Sequence, residues 1–452
     1  MGATAAASPP HISEWKVVKG GLVVAAGLMI GQALGFVRHA FIAYLLGTGG
    51  RADALSVAFV PVDLLWAVLS TSVVFGFGPL LAANKREQVG PCFVELARLL
   101  FRPILVFSAA LILLAGPAVK ILAPGLTSEA AETATLLLRI TSLAIPALAG
   151  SALFTALLYS ERRFTVPALH QSVVNIATIA AAILLASRFG PFAFAAGFVA
   201  GAWFQFGAVW WNARDVLRRE ARSADRLGWW FVLREPLPVL IYSVLVGLNA
   251  VATRAFASTF GVGATAGFDY SLRLLGVPLA LLVVPLSSSM LSEIARFRSL
   301  HEPGAALRAI RKAALITGSL AAALTLAVVA FAPWMVELLF ERGSFSSQST
   351  ATVSAILRGF FPSLVAWSLM DILSRSLFSL GRTHVPILAA GAGLLVNATV
   401  CAEAPIANIG GVGFGSIAGF AVGAVIVAVH LWRLGGAEEA PPRDSSHLRS
   451  DS

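Results

Sequence analysis

The sequence predicts an all-α, polytopic membrane protein. Charged residues make up only 12% of the 452 residues, while hydrophobic residues make up 58%, and the mean hydropathy is +0.83. Apolar stretches of about 20 residues, long enough to cross the hydrocarbon core as a helix, recur from near Gly21 to near Arg433. The sequence lacks the alternating ten-residue segments that are typical of an outer-membrane barrel, so the predicted bundle is helical.

Twelve spans are predicted, with short loops between them. They cover residues 21–46, 52–82, 93–122, 132–158, 164–187, 190–211, 235–259, 264–291, 309–333, 350–378, 384–402 and 411–432. Residues 1–20 are expected to form a cytoplasmic N-terminal tail, and the polar residues 434–452 a disordered cytoplasmic tail.

The net charge of +10 is spread over alternate loops rather than gathered in one patch. Basic residues precede span one and follow spans two, four, six, eight, ten and twelve, whereas the intervening loops hold few. The positive-inside rule then predicts a multi-pass protein of the cytoplasmic membrane with both termini in the cytoplasm. This pattern favours membrane lipids as partners and argues against nucleic acid.

Two stretches of the chain recur at a similar offset. The segment ALLYSERRFTVPALHQSVVN resembles SLFSLGRTHVPILAAGAGLLVN, with prolines 386 − 167 = 219 and asparagines 397 − 175 = 222 residues apart. The loop after span one resembles the loop after span seven, at an offset of 261 − 47 = 214. These offsets predict two parallel six-helix lobes, an N-lobe over 21–212 and a C-lobe over 235–433, joined by a basic cytoplasmic linker over 213–234.

Buried arginines are the sharpest candidates for function. Arg38, with Gln32 nearby, lies inside span one, where an arginine at the helix centre costs about 2.5–3.5 kcal/mol on insertion scales. Either Arg38 faces a wet interior, or its side chain snorkels to the interface. Arg273 lies deep in span eight, and in a duplicated fold the two arginines would face a common cavity. Fork-shaped guanidinium donors suit phosphate or diphosphate.

Other polar residues in the spans have both functional and structural interpretations. Asp63, two residues after a proline, is predicted to pair with Arg38, couple to a cation or proton, or cap a kinked helix. Asn249 and Arg254 belong to span seven and are added to the candidate substrate site. Asn175 and Asn397 are expected to tie helices together by hydrogen bonds.

No catalytic constellation occurs in the sequence, so the chain is not expected to be an enzyme. Neither a Walker A sequence nor His/Cys/Glu spacing for a metal is present, and no cofactor is implied. Cys92 and Cys401 are expected to behave as small apolar side chains. Without an ATPase, transport must be driven by a gradient, the membrane potential or downhill substrate flux.

Several ordered motifs from Gly31 to Asn397 resemble the MurJ/MviN family of lipid II flippases. They include LGFVRHAFIAYLLGTGGRADALSVAF, YSERRFTVPAL, FGVGATAGFDYSLRLLGVPLAL, LFERGSFS and LSRSLFSLGRTHVP. The resemblance implies the two-lobe fold of the multidrug/oligosaccharidyl-lipid/polysaccharide exporter superfamily and alternating access for a lipid-linked glycan. It also implies that Arg38 and Arg273 hold the substrate's diphosphate and sugars, and that cell-envelope synthesis proteins are further partners.

The chain departs from the family pattern at several charged positions. Family members usually have Ser-Arg where this chain has Gly31 and Gln32, and Asp where it has His39. Arginines of a F-R-I-P-N-L-L-R-R stretch are lost in FVPVDLLWA, and twelve helices are predicted instead of fourteen. The cargo is therefore lipid II or another polyprenyl-diphosphate glycan such as an exopolysaccharide unit. A drug/cation antiporter using Asp53 or Asp63, and a scaffold without transport activity, are the alternatives.

Overall fold

The computed structural model describes residues 14–72, 77, 81, 86–218, 237–279, 303–403 and 408–438, and these ranges are α-helices joined by short loops, with no β-strand among them. In chain order the helices are α1 (Glu14–Leu46), α2 (Gly50–Ser72), α3 (Arg86–Leu113), α4 (Ala115–Leu122), α5 (Ser128–Ser142), α6 (Ile145–Ser160), α7 (Thr165–Phe189), α8 (Pro191–Arg218), α9 (Leu237–Ala257), α10 (Ala264–Pro278), α11 (Pro303–Phe340), α12 (Ser347–Phe360), α13 (Ser363–Ser379), α14 (His384–Glu403) and α15 (Phe414–Glu438). Short 3₁₀ turns at Ser258–Phe260 and Ile409–Gly413 precede α10 and α15.

Within the described ranges, ten helical segments are long and apolar enough to cross a membrane, and eleven if α12 and α13, bent by 43° at their junction, form one span. The prediction of an all-α, multi-pass membrane protein is confirmed. Several predictions lie wholly or partly outside the described residues: the end of span two, the second half of span eight, most of the basic linker, and most of both tails.

Three predicted spans are interrupted rather than continuous. The span at 93–122 consists of α3 and α4, and the other two break at prolines. The span at 132–158 consists of α5 and α6, and the span at 350–378 of α12 and α13. Prolines stand at both junctions, Pro146 at the start of α6 and Pro362 just before α13. Because proline has no backbone N–H to donate to the preceding turn, it is best tolerated at the start of a helix, although α2 and α11 also hold Pro61 and Pro333 in their interiors.

The helices group into two compact units by their contacts. Unit 1 comprises Met1–Arg38, Val73–Ser108 and Leu143–Val232, and unit 2 comprises His39–Ser72, Ala109–Ser142 and Leu233–Ser452. Helix α1 contributes its longer part to unit 1 and its last eight residues to unit 2. The predicted parallel lobes stay a prediction.

In unit 1, α7 and α8 pack through small residues. Gly197 and Gly201 of α8 lie against the backbone and alanine side chains of α7, where an added Cβ would collide. Glycines four residues apart let two membrane helices approach closely. The turn between α6 and α7 is tied to the end of α8, because Arg163 donates a hydrogen bond of 2.9 Å to the Asp215 carboxylate. This hydrogen bond raises the pKa of the Arg163 guanidinium above its usual value.

In unit 2, the apolar core lies between α11, α13, α14 and α15. One cluster gathers Ile310, Ile372, Leu377, Ala389 and Val427. A neighbouring cluster around Met370 and Phe420 adds Tyr242 of α9. The helices that carry most of the candidate charged residues, α2, α9 and α10, contact one another within the same unit.

Candidate functional site

An ion pair joins α2 to α10, and it gives Asp63 a different partner, Arg273, from the predicted Arg38. The Nη2 atom of Arg273 donates to Oδ2 of Asp63, and both side chains are about one-third exposed, at 34% and 33%. Within the described residues, the Nε atom of Arg273 is buried and has no hydrogen-bond partner, so the donors open to a ligand are those of the other guanidinium nitrogens. Since a guanidinium carries five N–H donors and one carboxylate oxygen takes only some of them, Arg273 keeps donors for a further anion.

Arg273 lies well inside α10. Arg273 is 273 − 264 = 9 residues into α10, which places it about 13 Å from the start of the helix at 1.5 Å per residue. A partly exposed charge at that depth is not stable against hydrocarbon.

A second charged cluster lies nearby in unit 2. Arg254 of α9 donates from Nη2 to Oδ1 of Asp269 on α10 over 2.8 Å, and Nε2 of His39 on α1 is 3.7 Å from the other carboxylate oxygen. All three residues are buried. Arg254 thus has an acid partner within its own unit, and its role as a substrate ligand stays a prediction.

Asp53 of α2 caps the first turn of α10 from outside that helix. Its two carboxylate oxygens accept hydrogen bonds from the backbone N–H groups of Gly263, at 2.6 Å, and Ala266, at 2.7 Å. Helix N-termini leave such N–H groups without partners and favour negative charge. Gly263 has φ = +90°, a conformation that glycine adopts at no steric cost.

The contacts of Asp53 and Asp63 set the register of α2 and α10. The residue pairs are separated equally, 263 − 53 = 210 and 273 − 63 = 210. Equal separations require the two helices to run side by side in the same direction. The contact of Asp53 with the start of α10 thus keeps Asp63 and Arg273 at the same level on neighbouring helices.

Asn249 lies in a closed network of neutral hydrogen bonds. Asn397 of α14 donates to the Asn249 carbonyl at 2.9 Å and to its side-chain oxygen at 3.0 Å. Ser416 of α15 also bonds to Asn249 and, at 2.7 Å, to Thr253. The predicted role of Asn397 in tying helices together is confirmed, while substrate binding by Asn249 stays a prediction.

Arg38 and Gln32 belong to unit 1. Arg38 is only 8% exposed, and its guanidinium carbon is 5.7 Å from the centre of the Phe198 ring on α8, within the range of a cation–π attraction. Gln32 is exposed. Asn175 donates to the carbonyl of Gly31 over 3.1 Å and ties α7 to α1, as predicted. The shared cavity of Arg38 and Arg273 stays a prediction.

Two contacts were missed by sequence reasoning. The sequence indicates Asp53 only as a titratable carboxylate, and it does not indicate that His39 and Asp269 form a pair. The TFGVGATAG stretch before α10 offered one signal for the first contact, because a glycine-rich helix start without a Ser, Thr or Asp cap leaves N–H groups for another segment to bind. Within the described residues, no three His, Cys, Asp or Glu side chains come together as a metal site requires.

The family model "Lipid II flippase MurJ" matches residues 42–437, which is 437 − 42 + 1 = 396 of the 452 residues. The chain belongs to the MurJ family. Arg273, Arg254, Asp63 and Asn249 lie inside the matched range, and Arg38 precedes it. Flippases are transporters, so this is a family of transporters and not of enzymes.

Curated MurJ relatives are similar over most of their length. A probable lipid II flippase MurJ from Rhizobium meliloti (strain 1021) is 26% identical over 429 residues, covering 90% of this chain and 79% of the relative. The lipid II flippase MurJ of Burkholderia cenocepacia is 26% identical over 397 residues, covering 83% of this chain and 76% of the relative.

Solved structures share the fold. A structure of lipid II flippase MurJ in an inward closed conformation superposes with a TM-score of 0.78 at 20% identity, covering 91% of this chain and 87% of the other. An inward-facing multidrug resistance MATE family transporter of the MOP superfamily gives 0.74 at 16% identity, with 92% and 98% covered. The MurJ family fold is therefore common to flippases and drug transporters. The fold does not determine the transported substrate, which depends on the side chains of the binding site.

Proposed function

We propose that this protein moves a polyprenyl-diphosphate-linked glycan, lipid II or a related cell-envelope precursor, from the inner to the outer leaflet of the cytoplasmic membrane by alternating access. Arg273 and Arg38 bind the diphosphate, and both termini lie in the cytoplasm. The energy comes from a gradient, the membrane potential or the substrate flux.

The observation that carries the proposal is Arg273 within the range matched by the MurJ family. Its guanidinium is partly exposed, and the one hydrogen bond to Asp63 uses only part of its five N–H donors. Such a group is suited to exchange a weak intramolecular partner for a diphosphate, whose several oxygens accept more hydrogen bonds than one carboxylate does.

Rescue of a strain depleted of its own MurJ tests the cargo. The MurJ of Burkholderia cenocepacia serves as the positive control, and the R273A variant as the matched negative. Growth with the wild-type chain and not with the variant is the expected result. Failure of a well-expressed wild type removes lipid II as the substrate and leaves other polyprenyl-diphosphate glycans, such as an exopolysaccharide unit.

Flipping in proteoliposomes separates these cargoes. The purified protein is supplied with headgroup-labelled lipid II or with a labelled polyprenyl-diphosphate sugar that lacks the peptide. Transport of the second lipid alone supports an exopolysaccharide-type cargo. Transport of neither by a folded protein contradicts the proposal.

The fold shared with MATE transporters makes a drug/cation antiporter the second candidate. That activity needs a carboxylate free to exchange a proton or cation, and Asp53 and Asp63 are the acids of α2. Asp53 holds the backbone of α10 with both oxygens, and Asp63 is paired with Arg273. These contacts favour the flippase over the antiporter, and ion-coupled efflux of organic cations would reverse that preference.

A further inference from the structure

The proposed diphosphate site leaves the His39–Asp269–Arg254 cluster without a role. Three helices meet there: α1 supplies the imidazole, α10 the carboxylate and α9 the guanidinium. Arg254 is 4%, His39 4% and Asp269 9% exposed. Three ionisable groups buried together inside membrane helices are costly unless they pair, and in membrane proteins they commonly mark ion or proton pathways.

The two oxygens of Asp269 have different surroundings. Oδ1 accepts the 2.8 Å hydrogen bond from Arg254, and Oδ2 faces Nε2 of His39 at 3.7 Å. The guanidinium is permanently charged and balances the carboxylate. Histidine is the side chain that exchanges a proton near neutral pH. The cluster has no net charge when His39 is neutral, and a charge of +1 when its imidazole carries a proton.

The other ionisable groups nearby in unit 2 have hydrogen-bond partners other than His39. Asp53 on α2 holds backbone N–H groups of α10, Asp63 pairs with Arg273, and the hydroxyl of Tyr270 donates to the carbonyl of Gly47 at 2.8 Å. Asp269 is thus the carboxylate that the structure places next to the imidazole. In α1 itself, the residue before His39 is a permanent cation, which makes a nearby counter-charge more important.

We propose that His39 is a proton-binding site. Nε2 takes up a proton from water, the resulting imidazolium is balanced by Oδ2 of Asp269, and Arg254 holds the carboxylate in position. Release of the proton restores the neutral imidazole. Arg38, which is proposed to bind the diphosphate, directly precedes His39 in α1. Protonation of His39 therefore changes the charge next to Arg38. Proton binding by His39 does not depend on the flippase proposal. An effect of that proton on transport does rest on the flippase proposal.

Histidine-ring NMR of the full-length protein tests proton binding directly. The chain has seven histidines, and the His39 signal is the one lost in H39N. We expect this signal to titrate between about pH 5 and pH 8, and proton binding to weaken in D269N because the counter-charge is gone. H384N is the control, since His384 is exposed at the start of α14.

Absence of any titration of the His39 signal over that range overturns the proposal, even if D269N does not fold, because the wild-type protein alone decides it. A His39 titration unchanged in a folded D269N variant overturns the assignment of Asp269 as the counter-charge.

Transport assays at several pH values test the coupling. In proteoliposomes with headgroup-labelled lipid II, we expect a pH-dependent flipping rate that becomes flat in H39N and is retained in H384N. A rate that stays pH-dependent in H39N overturns the coupling. If His39 titrates while no polyprenyl-diphosphate lipid is moved at any pH, the flippase proposal fails and the proton site stands.

Discussion

Two polar regions of unit 2 use their side chains in opposite ways. The network around Asn249 and Asn397 is neutral and fully buried, with Asn397 at 0% exposure, and its members satisfy one another. The Asp63–Arg273 pair is charged and one-third exposed, and its hydrogen bond uses only part of the arginine's donors. A polar group in a membrane helix therefore serves packing when its partners close around it, and binding when donors remain for a ligand.

The largest effect expected is on transport in R273A. Loss of charge-assisted hydrogen bonds worth about 1.5–3 kcal/mol weakens diphosphate binding by roughly 10–100-fold. Melting of the purified protein should change little, because the pair is partly solvated. The measurement is lipid II flipping in proteoliposomes, with R139A as the control, since Arg139 is exposed on α5. Equal transport by R273A and R139A would remove Arg273 from the site.

Replacing Asn397 with alanine should lower the stability of the fold more than it lowers transport. The side chain bonds to Asn249 and Thr253, so its loss is expected to cost about 1–2 kcal/mol of folding stability, the range for interhelical hydrogen bonds in membranes. Thermal melting in detergent measures this. T399A is the control, because Thr399 is exposed and bonds only within its own helix. An N397A protein with wild-type melting and lost transport would turn the network into a binding site.

Asp53 is a charged residue whose contacts hold two helices together. We expect D53A to lower stability by about 1 kcal/mol, as loss of a helix cap does, and D53N to lower it less because one acceptor oxygen remains. E129A is the control, since Glu129 is an exposed acid in the first turn of α5. Melting of all three variants gives the comparison. Wild-type melting of D53A would show that the cap contributes no stability.

The smallest effect is expected for D63N. A partly exposed ion pair contributes about 0.2–1 kcal/mol, so freeing Arg273 should tighten diphosphate binding by at most about fivefold. Binding of a labelled polyprenyl diphosphate to the purified protein measures the change. Weaker binding in D63N would mean that Asp63 positions Arg273 for the ligand instead of competing with it.

The sequence was sufficient for the fold class because apolar length and loop charge are local properties. It also marked Arg273 and Asn397 as polar residues inside spans. The partners could not be predicted, because a period of 3.6 residues gives the position of a side chain along its own helix and not the helix that faces it. Asp63 and Arg273 are 210 residues apart. The sequence alone leaves three interpretations of Asp63, and the packing of α10 beside α2 decides between them.

The same limit explains His39 and Asp269, which lie on different helices. Each residue alone is compatible with an interfacial position, and only the packing of α1, α9 and α10 brings them together. Family motifs indicated where this chain is unusual, since His39 replaces a usual acid, but a motif does not show what compensates for a replacement.

The two native cysteines have a practical consequence for thiol chemistry. Cys92 and Cys401 form no disulfide and are both buried, so a bulky water-soluble maleimide should react slowly with the folded chain. A single cysteine introduced at an exposed position would then be the one labelled. Reagents applied from either side of the membrane could report the orientation of each loop without a cysteine-free background.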